Sequence, residues 1–283
     1  MMLPSSNDLS LAEAMERWAL SNPAFVTETD SSVIYKADDV EHRPVALKLL
    51  KPGTGGDEAR GGALLAWYGG HGAAKVFGVA TDAVLMEWLG GETLGDVVRS
   101  GRDDIATGIL CGVIERLHAR RDAPPAELTP LRQRFASLFR IGPDSWPFGS
   151  RALVATAIGI ARDLLDGELP AQPLHGDIHH DNILRAGDDW VAIDPKGLIG
   201  DPAYDYANSF QNPERAETLV LDAARIGRHV AAISERTGIS RKRLLAWAVA
   251  HTALSGAWNI EDDSPFSHQA SMLALLLPAF EAG

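Results

Sequence analysis

Residues 174–184 read Leu-His-Gly-Asp-Ile-His-His-Asp-Asn-Ile-Leu, and residues 190–195 read Trp-Val-Ala-Ile-Asp-Pro. Together they set three oxygen-bearing side chains, Asp177, Asn182 and Asp194, around a loop, a turn and an apolar strand. A carboxylate can take the proton of an attacking hydroxyl, and an Asp with an Asn offers the hard oxygen ligands that Mg²⁺ prefers. The spacing has a physical reason. Asp177 must face an acceptor while Asn182 faces a phosphate-bearing ligand, so the chain between them has to reverse. Asp194 must then return beside Asn182 for both oxygens to reach ions that bridge phosphates. The chemistry this pattern allows is phosphoryl transfer to an alcohol.

The same segment permits other readings. His175, His179 and His180 fall within six residues, and His180-Asp181 could be the paired ligands of a metal-dependent phosphohydrolase. Such an enzyme needs another His well upstream, and His42, His71 and His118 lie in dissimilar contexts. No Cys-x-x-Cys or His-Glu-x-x-His motif supports zinc. A nucleotide-binding protein without catalysis is a third class. No Gly-x-x-x-x-Gly-Lys-Ser/Thr occurs, which removes a P-loop kinase.

These groups need elements to hold them. Residues 32–37 and 44–50 are short apolar or β-branched runs around a charged turn, which predicts a hairpin. A helix is expected over 57–68 behind acidic residues suited to its N-terminus, then strands over 74–79 and 83–88. Gly90-Gly91 closes the β-rich part. From Thr93 the period changes: Ala106, Ile109, Leu110, Val113, Ile114 and Leu117 mark one helix face, with similar patterns at 152–165, 217–233 and 241–258. The aperiodic polar stretch 174–209 between them is where function is expected. The fold class is α+β, with units at 1–89 and 90–283.

The chain has 283 residues with 46% hydrophobic and 23% charged, which excludes disordered and fibrous classes. Lys and Arg total 26 against 38 Asp and Glu, a net charge of −12 that disfavours nucleic acid and permits a cationic ligand. Residues 244–283 contain four acids and no Lys or Arg. The single Cys111 sits in an apolar helical pattern and reads as a buried structural thiol. With no targeting or membrane-spanning segment in evidence, a soluble, cytoplasmic, monomeric protein is expected.

His-Gly-Asp-Ile-His-His-Asp-Asn at 175–182 with Ile193-Asp194-Pro195 resembles the aminoglycoside and hydroxyurea antibiotic-resistance kinases, among them the streptomycin 6-phosphotransferases. The resemblance spans about Val26 to Asp263, including Ser31-Ser32, Asp57-Glu58, Gly197-Leu198-Ile199-Gly200 and Ala257-Trp258-Asn259. It implies a protein-kinase-like fold with a small β-rich N-lobe and a larger helical C-lobe, using ATP and Mg²⁺ to phosphorylate a small cationic alcohol. By the same resemblance Asp177 orients or deprotonates the acceptor hydroxyl, and Asn182 and Asp194 hold the metal. Lys48 grips the α/β-phosphates with Glu58 as its helix partner. Ser31 and Ser32 cover phosphates in a loop without glycines, and backbone groups of Glu87 and Leu89 meet the adenine edge.

His-Gly-Asp and Asp194-Pro195-Lys196 depart from the His-Arg-Asp and Asp-Phe-Gly of protein kinases, and no Ala-Pro-Glu follows, so a protein substrate is disfavoured. The C-terminal segment is expected to face the acceptor, with Trp258 stacking on it and Glu261, Asp262, Asp263 and Asp201 pairing with its cations. His175, His179 and Asp205 are expected to organise the loop. A metabolic small-alcohol kinase is the alternative within the same fold.

Overall fold

The computed structural model describes residues 10–53, 55–119, 123–167 and 171–283. The N-terminal residues Met1 to Asp8 lie outside that set, as does the Asp57 side chain. Helix α1 (Leu11–Arg17) opens on a reciprocal cap: Glu13 N–H donates to the Ser10 hydroxyl at 3.3 Å and Ser10 N–H to the Glu13 carboxylate at 2.8 Å. Five strands follow, β1 (Ser21–Glu28), β2 (Ser32–Asp38), β3 (Pro44–Leu50), β4 (Val76–Ala80) and β5 (Ala83–Glu87), with helix α2 (Gly55–Tyr68) between β3 and β4. They form one antiparallel sheet in the order β1-β2-β3-β5-β4.

The expected hairpin is β2–β3, paired from Ser32↔Leu50 to Asp38↔Pro44. Strand β1 was not foreseen. It is an edge strand exposed along its whole length, so it lacks the alternation that betrays a half-buried strand, and Pro23 is tolerated at such an edge. In central β3 the period of two splits the faces: Val45 and Leu47 join Ala14, Ala83 and Leu85 in a small core under α1, while Lys48 points to the other side. Helix α2 covers that side. Its Leu64, Leu65 and Tyr68 belong to the large core of the helical part.

The C-terminal part is built on α3 (Leu94–Arg99), α4 (Asp103–His118) and the long helices Arg151–Asp166, Ala223–Thr237, Arg241–Glu261 and Ser267–Ala282. The expected helix 217–233 is broken, because Asp222 caps a new helix by accepting from Ala224 N–H at 2.9 Å. Helix Arg241–Glu261 has 13 buried residues between Leu244 and Ala257 and runs through the middle. Each fully buried Leu there contributes about 1.5–3 kcal/mol. Cys111 is buried among the same side chains, and burial pushes its thiol up to about 12. Among the described residues no helix is long and apolar enough to cross a membrane.

Two small β elements carry the polar stretch. Strand Gln172–Leu174 pairs with Leu198–Gly200, and the hairpin Ile183–Ala186/Asp189–Ala192 runs out and back in register Ile183↔Ala192. Asn182 enters that hairpin and Asp194 leaves it two residues beyond its end, so the hairpin brings the two side by side. Ile193 N–H donates to the Asn182 carbonyl at 2.9 Å.

Candidate active site

Strand Gln172–Leu174 delivers His175, Gly176 and Asp177. Gly176 has φ +82° and a Cβ there would lie 2.5 Å from Leu198 Cδ1, so the turn into Asp177 accepts glycine alone. Buried Asp205 accepts from His175 N–H at 3.0 Å, Gly176 N–H at 2.7 Å and His118 Nε2 at 2.8 Å. Burial by itself would raise the Asp205 carboxyl, but these donors outweigh it and hold it below the usual range. The buried His175 ring donates from Nε2 to the Ile193 carbonyl at 2.9 Å, which leaves Nδ1 to accept from Asp177 N–H at 3.3 Å. Burial keeps that imidazole neutral, the nearby carboxylates notwithstanding. One histidine therefore ties the segment carrying Asp177 to the segment carrying Asp194.

Asp177 receives Asn208 Nδ2–H on Oδ1 at 2.9 Å, and its carbonyl receives Asn182 Nδ2–H at 3.0 Å. That bond fixes the Asn182 amide and leaves its Oδ1 as an acceptor. Lys48 contacts both Glu58 and Asp194, and Lys196 Nζ lies 2.8 Å from Asp194 Oδ2 and 3.5 Å from Glu58 Oε1. Burial opposes ionisation of Asp194, yet Lys48 and Lys196 hold its carboxyl far below the ordinary value. Burial would lower the Lys196 ammonium, but the Asp194, Asp177 and Glu58 carboxylates outweigh that and raise it. An ionised Asp beside an Asn oxygen is a donor set that would suit a hard divalent ion.

These residues line two cavities. The smaller, about 220 Å³, lies between sheet and hairpin, and Ser31, Ser32, Lys48, Glu58, Asn182 and Asp194 line it with apolar Ile34, Val84 and Met86. Ser31 donates to Glu58 Oε1 at 3.0 Å, and buried Ser32 closes a tight turn with Thr29. Glu87 ends β5; its N–H donates to the Lys75 carbonyl at 2.9 Å and its carboxylate accepts from Lys75 N–H at 2.7 Å, with Leu89 two residues further along. The larger cavity, about 490 Å³, has Asp177 and His179 in its wall with Asn208, His251 and Trp258.

The expected acceptor residues divide. Trp258 lines the large cavity with His251 and Ser255, all three on one face of helix Arg241–Glu261, and the Arg134 guanidinium stacks 4.3 Å from its ring. Glu261, Asp262 and Asp263 do not line it. The helix ends at Glu261, which turns to Arg140, and Asp262 and Asp263 follow on the exposed surface. Asp201 is corrected as well: it is buried, caps the 3₁₀ segment Pro202–Gln211 through Ala203 N–H, and accepts from Arg243 and Trp247. Among the described residues, the carboxylates that line the large cavity besides Asp177 are Glu214 and Glu217.

Asn208, Lys196, Glu214 and Glu217 escaped the sequence reading. Asn208 lay in the polar stretch without a motif, whereas Lys196 was visible as a departure from Asp-Phe-Gly. The histidines do not gather as ligands. His179 Nδ1 accepts from Asp181 N–H at 3.3 Å, and among the described residues no group of three His, Cys, Asp or Glu side chains is placed to hold a metal.

The model of the aminoglycoside/hydroxyurea antibiotic resistance kinases matches residues 17–263. The chain belongs to this family. It is 40% identical to streptomycin 3''-kinase of Klebsiella pneumoniae over 253 residues, 88% of this chain and 91% of the relative. It is 30% identical to streptomycin 6-kinase of Streptomyces griseus over 262 residues, 89% of this chain and 82% of the relative. Among solved structures, a thermostable mutant of aminoglycoside phosphotransferase APH(4)-Ia in a ternary complex with ADP and hygromycin B superposes with TM-score 0.66 at 15% identity, covering 95% of this chain and 97% of that one. A choline/ethanolamine kinase family protein from Mesorhizobium loti gives TM-score 0.66, 15% identity and 97% coverage of both. The resistance-kinase chain thus has the protein-kinase-like α+β fold, and it is a phosphotransferase by family.

Proposed function

We propose that this kinase transfers the γ-phosphoryl group of ATP to a hydroxyl of a streptomycin-type aminoglycoside, as its streptomycin-kinase relatives are named for doing. The observation that carries the reading is one hydrogen bond between the walls of two cavities: Asp177 lines the larger, Asn182, Asp194 and Lys48 line the smaller, and Asn182 Nδ2–H donates to the Asp177 carbonyl. Residues 1–89 serve as the nucleotide lobe and 90–283 as the acceptor lobe. Ile34, Val84 and Met86 sandwich adenine, the Glu87 carbonyl and Leu89 N–H meet its edge, and Ser31, Ser32 and Lys48 hold phosphates, with Glu58 steadying Lys48. Asn182 and Asp194 hold Mg²⁺, which when bound neutralises charge on the phosphates. Asp177 aligns the acceptor hydroxyl and takes its proton, Asn208 fixes that carboxylate, and His175, His179 and Asp205 fix the loop.

In the acceptor cavity Glu214 and Glu217 with Trp258 suit a polycationic sugar, and Arg215 lines the same wall. A metabolic small-alcohol kinase draws support from shared fold alone. We further take the enzyme to be monomeric and cytoplasmic, in keeping with its single buried thiol. Purified protein incubated with ATP and Mg²⁺ should convert streptomycin to a monophosphate, with the ester position read by NMR. The higher identity to the 3''-kinase than to the 6-kinase favours the 3'' hydroxyl. ATP binding without transfer to streptomycin, other aminoglycosides or hydroxyurea would remove the reading.

A further inference from the structure

We infer that Lys196 is a further catalytic residue whose ammonium meets the γ-phosphoryl group during transfer, an inference that rests on the phosphotransferase reading above. Two lysines share the Asp194–Glu58 pair. Lys48 contacts Asp194 Oδ1 and Glu58 Oε2, and Lys196 Nζ approaches the other oxygens, at 2.8 Å from Asp194 Oδ2 and 3.5 Å from Glu58 Oε1. On its far side Lys196 Nζ is 3.9 Å from Asp177 Oδ2. Lys48 thus stands on the sheet side of Asp194, and Lys196 stands between Asp194 and Asp177.

A reacting phosphorus must lie between the hydroxyl held at Asp177 and the phosphates anchored near Asp194. A cation within 4.0 Å of both carboxylates borders that space.

The backbone fixes this position. Lys196 N–H donates to the His175 carbonyl at 2.7 Å, and Thr129 N–H donates to the Gly197 carbonyl at 2.9 Å. A Cβ on Gly61 of α2 would stand 2.0 Å from the Pro195 carbonyl oxygen, and Asp194 and Gly197 have φ of +61° and +65°. The turn 194–197 is therefore held from three sides, and the Lys196 side chain is mostly buried in the site, with 17% exposure. A buried ammonium among three carboxylates is tolerated because it is paired, and arriving phosphate oxygens can replace a carboxylate partner without leaving it unpaired. During transfer the acceptor oxygen bonds to the γ-phosphorus, and the bond from that phosphorus to the β,γ-bridging oxygen breaks, its electron pair leaving with ADP. The acceptor proton goes to Asp177. Lys196 keeps its proton and stabilises the charge on the moving group.

The test compares two nucleotides. With Mg²⁺ present, Lys196→Met should raise the Kd for AMP-PNP about tenfold or more relative to the Kd for ADP, because ADP lacks the γ-phosphate. Its kcat should fall roughly a hundredfold with acceptor KM little changed. Lys196→Arg, which keeps the charge, should retain most of the AMP-PNP preference. If Lys196→Met does not melt as a folded protein, Lys196→Gln, which keeps a donor to Asp194, takes its place in the same comparison. Equal losses for ADP and AMP-PNP, or no loss for either, overturn the role of Lys196 and leave the kinase reading standing. Failure of the wild-type protein to bind AMP-PNP with Mg²⁺ overturns both.

Discussion

The Asp181 carboxylate accepts the backbone N–H of Glu214 at 3.1 Å. Arg99 completes the clamp: Nη2 donates to Asp181 Oδ1 at 2.9 Å and Nη1 donates to the Glu214 carbonyl at 2.9 Å. Asp181 is the neighbour of Asn182, and Glu214 lines the large cavity. The loop proposed to hold metal thus also holds the wall proposed to hold acceptor. A second anchor lies deeper, where buried Arg225 pairs with Asp103 and donates to the Asn212 carbonyl at 3.0 Å.

Removing the clamp should loosen acceptor binding. Asp181→Ala leaves Glu214 N–H and the Arg99 guanidinium without a shared partner, a loss on the order of 1–3 kcal/mol. Acceptor KM should rise about tenfold with the Kd for ADP within a factor of two. Gly95→Ala offers an independent route, because a Cβ there would lie 2.0 Å from Asp181 Oδ1. A parallel rise in acceptor KM and nucleotide Kd in both variants would show that the clamp serves the whole site, not the acceptor wall.

Asp177→Asn should leave the loop intact while removing its proton acceptor. The new amide oxygen can still accept from Asn208; the His175 and Gly176 N–H groups bond Asp205, and the Asn182 side-chain amide bonds the backbone carbonyl of residue 177, so none of these involves the carboxylate. Transfer to streptomycin should drop by roughly 10²–10⁴, the usual worth of a positioned base, with ATP binding largely kept. Turnover close to wild type would sink the assignment of Asp177.

Neutralising the two sets of acids separates the sequence expectation from the geometry. Glu214→Gln with Glu217→Gln should raise the KM for streptomycin several-fold and more strongly at low ionic strength. Glu261→Gln, Asp262→Asn and Asp263→Asn together should change it little, since those groups sit outside the cavity. The reverse ranking, measured by initial rates at matched salt, would restore the C-terminal acids as acceptor contacts.

These outcomes track what was legible in the chain. Asp177, Asn182 and Asp194 stand in one short stretch whose reversal is dictated by local chemistry, and the structure brings them together. Lys48 was legible because a lysine in an apolar central strand needs partners from elsewhere. Glu214 was not, since its place depends on bonds to Asp181 and Arg99, far away in sequence, and an exposed Glu in a loop has no periodic signature. Asp201 misled for the same reason. Its pairing with Arg243 and Trp247 is set by helix packing, and a lone acid after Gly200 says nothing of that packing. Edge strand β1 was lost because exposure on both faces erases the period that marks a strand.

Buried neutral histidines should make the protein acid-labile well above the carboxylate range. His229 and His251 are fully buried, and burial lowers each to about 3. His229 bridges Thr107 at 3.0 Å and Ser209 at 2.8 Å, and His251 bonds the Tyr204 hydroxyl at 2.9 Å; among the described residues neither ring has a carboxylate partner. Unfolded histidines bind protons near pH 6.5, so between about pH 6.5 and 3 the unfolded state carries more protons than the native one and stability rises with pH. Well inside that window each contributes a slope of about 1.4 kcal/mol per pH unit. Asp205 acts in the same direction but lower down, because its depressed carboxyl loses its contribution only as pH falls below the ordinary carboxylate value. Melting temperature should therefore begin to fall near pH 6.5. His251→Asn should be less stable at pH 8 yet show a flatter decline on acidification, and a decline equally steep in that variant would rule His251 out as a source of the acid sensitivity.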